Sequence, residues 1–97
     1  SNMGIIIVRD KKKNTVGIIS DGDIKRIESK NTDFKKIFAK NIMKKNPISV
    51  DKDTLASKSL AIMTDKKITC LCVHSKKNKM KTIGILHIHS ILNSNIQ

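Results

Sequence analysis

The chain has 97 residues, with 20 Lys or Arg against 8 Asp or Glu and a formal net charge of +12. At 38% hydrophobic and 29% charged residues it is too apolar for a disordered tail and too polar for a membrane protein. Its length allows one compact unit or two very small ones, with a thin core in either case.

Ile5–Arg9 is a short β-branched run and predicts a strand. Asp10–Asn14 is charged and turn-prone, and Thr15–Ser20 is a second strand, so the two form a hairpin with a five-residue loop. Asp21–Ser29 carries Ile24 and Ile27 three apart and predicts a short helix. Phe34, Ile37 and Phe38 predict a further helical stretch within Phe34–Met43. Asn46-Pro47 marks a turn before a short strand, Ile48–Val50. Asp51–Thr54 offers N-caps for a helix over Leu55–Asp65, with Ala56, Leu60 and Met63 on one face and Leu55 and Ile62 flanking it. Ile68–His74 is a strand, Ser75–Lys81 a lysine-rich loop, Thr82–Leu86 a strand and His87–Asn93 a closing helix.

The charge alone suggests nucleic acid, with a pI near 10.0. Eighteen of the 20 cations are lysine, however, and Phe34 and Phe38 are the only aromatics, so bidentate readers and stacking platforms are scarce. No acidic side chain follows Asp65. That stretch favours anionic small ligands such as nucleotide phosphates. The longest apolar runs, Ile5–Val8 and Cys70–Val73, fall far short of the roughly 20 residues of a bilayer span, so no membrane partner is expected. No secretory or transit segment is read at the start. Cys70 and Cys72 cannot build a disulfide framework, and the expected setting is the reducing cytoplasm.

The chain repeats itself. IIIVRDKKKNTVGIISDGDI matches CLCVHSKKNKMKTIGILHIHSI, with Gly17 over Gly84 and Ile24 over Ile91 at an offset of 67, and Val8 over Val73 at an offset of 65. Each copy is strand, loop, Gly-led strand, helix. Only the second copy has a strand and a helix ahead of it.

The pattern G-h-x-[ST]-x-x-[DN] stands intact at Gly17-Ile18-Ile19-Ser20-Asp21-Gly22-Asp23 and resembles the cystathionine-β-synthase (CBS) domain pair. More narrowly, GIISDGDIKR, IMKKNPISV, KKITCLCV and GILHIHSIL, in that order, resemble the C-terminal regulatory region of bacterial D-arabinose 5-phosphate isomerases. The resemblance implies an α+β CBS-domain pair of β-α-β-β-α units. It divides the chain into a partial first unit (1–30, β-β-α), a linker with a short helix (31–46) and a complete second unit (47–97). It further implies a regulatory module without catalytic residues, whose sugar-isomerase catalytic domain, serving a lipopolysaccharide precursor pathway, lies elsewhere in a longer protein. Its ligand would be an adenine nucleotide (AMP, ADP or ATP) or the nucleotide sugar CMP-Kdo, held in clefts between units. No other cofactor is implied.

The nucleotide-binding candidates are Ser20, Asp21, Asp23, Lys25, Arg26, Thr69, His87 and His89. A carboxylate such as Asp23 accepts ribose hydroxyls, and a hydroxyl at a helix start suits a phosphate. Ser-x-x-Asp is equally a capping box, and Lys25 and Arg26 are equally solvated helix cations. Ser20 stands where threonine is more usual. His87 and Ser90 replace the hydroxyl and carboxylate of the second copy. Thr69, Ile48 and Val50 hold positions that touch a base in the resembled family, or else pack the core. Cys70, Cys72 and His74 alternate on one strand, with His87 and His89 after the next hairpin. That suggests zinc only weakly, because the Cys-x-x-Cys turn is missing and cysteine is commonly buried; no metal is expected. Asp21-Gly22-Asp23 has the Asp-x-Asp form of phosphotransferases without the remaining machinery. A structural dimerisation module without ligand and a basic nucleic-acid binder are the competing functions. The incomplete first unit suggests a homodimer, since its hairpin needs cover.

Overall fold

The computed structural model describes residues 4–30 and 33–93. The chain falls into two compact units, Ser1–Pro47 and Ile48–Gln97.

In the first unit, β1 (Ile5–Arg9) and β2 (Thr15–Ser20) form the predicted antiparallel hairpin, and α1 (Asp21–Ser29) follows directly. Asp10 shapes the loop: its Oδ1 accepts the N–H groups of Lys12 and Asn14, both at 2.9 Å, and Lys13 takes a left-handed φ of 68°. Phe34–Met43 does not form one helix. Phe34–Lys36 is a 3-10 turn, and α2 covers only Ala39–Ile42. The Asn41 side chain accepts the Phe38 N–H at 3.3 Å and starts the helix afresh there, with Phe38 left 68% exposed. A strand that the sequence does not announce follows. β3 (Lys44–Lys45) pairs antiparallel with β2, Gly17 opposite Lys45 and Ile18 opposite Lys44. The sheet order is β1-β2-β3.

Gly17 lies where β3 comes closest. A Cβ there would stand 2.4 Å from Met43 Sδ and 2.9 Å from the Lys44 carbonyl oxygen. Glycine at this position is therefore a condition of strand pairing, not of backbone conformation.

The second unit is β4 (Ser49–Asp51), α3 (Ala56–Lys66), β5 (Cys70–Ser75), β6 (Asn78–His87) and α4 (Ile88–Asn93). β4 runs parallel to β5, and β5 antiparallel to β6. A parallel pair needs a crossover, and α3 supplies it. Val50, Met63 and Leu71 form the core, with Ile62, Ile68, Val73, Leu86, Ile88 and Ile91 packed on it.

The inward face of α3 departs from the expectation. Ala56 is exposed, and Ser59 is buried beside Met63 instead. Ser59 is small, and its Oγ returns to the Leu55 carbonyl at 3.2 Å, which satisfies the hydroxyl inside the unit. No residue of Asp51–Thr54 caps α3. Leu55 stands at the N-cap without a side-chain bond, while Asp51 Oδ1 accepts the Asp53 N–H at 2.8 Å to make a local turn. Ser75–Lys81 is not a loop. β5 ends at Ser75 and β6 begins at Asn78, directly opposite it, and the extra residues are taken up by a register shift before His74 meets Thr82.

The internal repeat extends to an irregularity. Both hairpins shift register at the same place, between Val8 and Arg9 in the first and between Val73 and His74 in the second. Val16 and Ile83 are the extra residues, related by the offset of 67 that relates Gly17 to Gly84. The two units differ in cover. Leu71 is fully buried, whereas Ile6, its repeat counterpart, is 53% exposed. Among the described residues no strand lies on the outer edge of β1, the edge that on β5 is taken by β4.

Candidate functional site

The chain turns from β2 into α1 at Ser20, and the chemistry of the first unit gathers there. Ser20 is extended and caps the helix. Its Oγ accepts the Asp23 N–H at 3.4 Å, and Asp23 Oδ2 accepts the Ser20 N–H at 2.9 Å and its hydroxyl at 3.0 Å. The capping box is thus complete, and it fixes the Asp23 carboxylate at the head of the helix.

Asp23 is 5% exposed. Its Oδ1 pairs with Arg26 Nη2, one turn on, and lies 3.8 Å from Lys44 Nζ on β3. Burial pushes the carboxyl up; the Ser20 bonds and the Lys44 and Arg26 charges outweigh it and hold Asp23 below the ordinary aspartate value. The result is a buried, ionised carboxylate with two largely exposed cations leaning over it.

Two residues that the sequence reading passed over belong to this cluster. Lys44 is one; no sequence signal marked it, because only the pairing of β3 with β2 brings it there. Gly22 is the other, visible as the glycine inside the motif. A Cβ at Gly22 would meet Arg26 Nη1 at 3.5 Å and Ser20 Oγ at 3.8 Å, which is ordinary contact, and its φ is not positive. Neither the backbone nor the packing requires glycine. What it leaves is open space between the serine hydroxyl and the guanidinium.

Asp21 is exposed and turned elsewhere: its Oδ2 accepts the Gly4 N–H at 3.2 Å and ties the start of β1 to α1. Lys25 is exposed on the first turn of α1. Ser20, Asp23 and Arg26 therefore come together with Lys44, while Asp21 and Lys25 stand around them.

The second unit holds Thr69, His87 and His89 at its own strand-to-helix junction. The Thr69 carbonyl accepts the Ile88 N–H at 2.7 Å. His87 occupies the repeat position of Ser20, and its Nδ1 accepts the His89 N–H at 3.1 Å. The two rings stack with centroids 5.0 Å apart. Burial and the neighbouring His89 hold His87 below the ordinary histidine value. Ser90, at the position of Asp23, brings no carboxylate. Val50 is in the core, and Ile48 is 38% exposed.

The alternating Cys70, Cys72 and His74 have partners within the unit. Cys72 is buried, and burial pushes its thiol up against a hydrogen bond with Thr82. His74 Nδ1 lies 2.8 Å from the Ser75 carbonyl. Among the described residues no three His, Cys, Asp or Glu side chains converge as metal ligands. No helix among them is long and apolar enough to cross a membrane.

Residues 39–95 match the CBS domain family. The uncharacterized protein RP505 of Rickettsia prowazekii is 34% identical over 94 residues, which is 97% of this chain and 28% of RP505. Arabinose 5-phosphate isomerase KdsD of Pseudomonas aeruginosa is 28% identical over 94 residues, again 97% of this chain and 28% of the enzyme. The chain thus spans a little over a quarter of these curated relatives. Among solved structures, the CBS domain protein PAE2072 from Pyrobaculum aerophilum, complexed with AMP, superposes with a TM-score of 0.78 at 23% identity, covering 92% of this chain and 71% of that one.

Proposed function

The chain belongs to the CBS-domain family, and on that premise we propose that it is a regulatory module that senses an adenine nucleotide at the Ser20–Asp23 junction. The observation that carries the reading is the buried, ionised Asp23 beside an open glycine and two exposed cations. A carboxylate of this kind suits a ribose diol, and the cations suit a phosphate. The likeness to an AMP-bound CBS protein supports the adenine class. Likeness to the arabinose 5-phosphate isomerases supports a longer protein with a sugar-isomerase catalytic domain, in the lipopolysaccharide precursor pathway of the cytoplasm. Ligand binding here would shift that enzyme's conformational population. Asp21, Lys25, Thr69, His87 and His89 are secondary contacts in this reading.

Calorimetry with AMP, ADP, ATP and CMP-Kdo tests it. We expect an adenine nucleotide to bind, and Asp23→Asn to weaken it by at least about tenfold, the value of a charge-assisted hydrogen bond. Asparagine keeps the shape, and a melting curve checks that the variant is folded. Binding of CMP-Kdo alone would replace the adenine class. Silence from all four would favour a second reading, a structural association module. The half-exposed Ile6, on a β1 edge that no described strand pairs with, supports that role, and with it a homodimer, which a monomeric mass in light scattering would refute.

A further inference from the structure

Both oxygens of Asp23 are engaged in the free protein. Its Oδ2 is held by the Ser20 backbone and hydroxyl, and its Oδ1 by Arg26 with Lys44 alongside. The Oδ2 bonds belong to the helix cap and are fixed by the backbone. The Oδ1 partners are different. They come from separate elements, α1 and β3, and their side chains are 58% and 64% exposed against 5% for Asp23. Exposed ion pairs of this kind are weak, and long side chains leave them readily. Oδ1, the oxygen covered by the two cations, is therefore where a diol meets Asp23.

We propose that Arg26 and Lys44 occupy Asp23 in the unliganded protein and pass to the ligand's phosphate when its ribose hydroxyls take the carboxylate. This rests on the nucleotide reading and deepens it, because the site then recognises the phosphate as strictly as the nucleoside. A nucleoside without phosphate displaces a cation and gives it no new partner. A nucleotide supplies the partner in the same event, through charge-assisted bonds. Lys44 is anchored at its backbone by the pairing of β3 with β2, so only its side chain moves.

The test is calorimetric titration of the full chain with adenosine and with AMP, for the parent protein and for Lys44→Gln. Lys44→Gln changes an exposed side chain and leaves the β3 backbone bonds in place. In the parent protein AMP binds more tightly than adenosine. In Lys44→Gln AMP binds more weakly and adenosine more tightly, each by about two- to fivefold, the range of an exposed charge pair. These opposite directions narrow the AMP preference by at least about fourfold. A Lys44 that merely supports the fold would weaken both ligands together; that result, or an unchanged ratio, overturns the proposal while the nucleotide reading stands. Absence of any binding by the parent protein overturns both, and the first titration shows it. The carboxyl titration of Asp23 followed by NMR in the free protein gives an independent readout. It moves toward the ordinary aspartate value in Lys44→Gln, and no movement would mean that Lys44 does not hold the carboxylate.

Discussion

Gly17 and Gly84 are repeat counterparts, yet the structure gives them opposite tolerances. A methyl group at 17 would lie 2.4 Å and 2.7 Å from Met43 Sδ and Cγ and 2.9 Å from the Lys44 carbonyl oxygen. The methionine can rotate away. The carbonyl cannot, because Lys44 and Lys45 are paired with Ile18 and Gly17. Overpacking against fixed backbone costs about 1–3 kcal/mol. At Gly84 nothing lies within 4 Å of the added atom. Alanine there lowers the entropy of the unfolded chain and stabilises by up to about 1 kcal/mol. A 97-residue chain has only about 5–15 kcal/mol in all. Gly17→Ala is therefore expected to lower the melting temperature by roughly 5–20 °C, and Gly84→Ala to hold or raise it. Circular dichroism melts of the two variants decide the matter, with hydrogen exchange at the β3 amides as the local readout. Melting temperatures within about 2 °C of each other, less than the shift from 1 kcal/mol, would refute the claim that β3 is seated on Gly17.

Met63 is fully buried against Val50 and Leu71, so Met63→Ala is expected to cost about 2–5 kcal/mol, read from urea midpoints. Acid should weaken the fold in two steps. His87 is held below its ordinary value of 6.5, so its contribution is complete above that pH and is lost as pH falls through the folded value. Asp23 is held below 3.8 and follows the same sign, its contribution surviving until the pH falls through its lower folded value. Urea midpoints measured from about pH 7 to about pH 5 should fall, and His87→Asn should flatten that slope.

The hairpins and α1 were legible because local chemistry and tertiary structure agree there: β-branched runs, a charged loop and a Ser-x-x-Asp start all point one way. The pair Lys44-Lys45 was not legible as a strand. Nothing in two lysines favours one, and only the edge offered by β2 makes it. The helix predicted across Phe34–Met43 followed apolar spacing, yet Asn41 closes on the Phe38 backbone and divides the stretch. On α3, spacing identified Met63 but chose Ala56 over Ser59, since a hydroxyl that bonds its own helix looks polar in sequence. At the site, the motif gave Ser20, Asp23 and Arg26, all within two turns of one helix start. Lys44 lies 21 residues from Asp23 along the chain and reaches it only through sheet pairing.

β3 belongs to the first compact unit, which runs to Pro47. Grafting the second unit into another host with a cut at 39 would carry off the strand that covers Gly17 and strip the donor of Lys44. A graft cut after Pro47 would leave the donor's sheet whole.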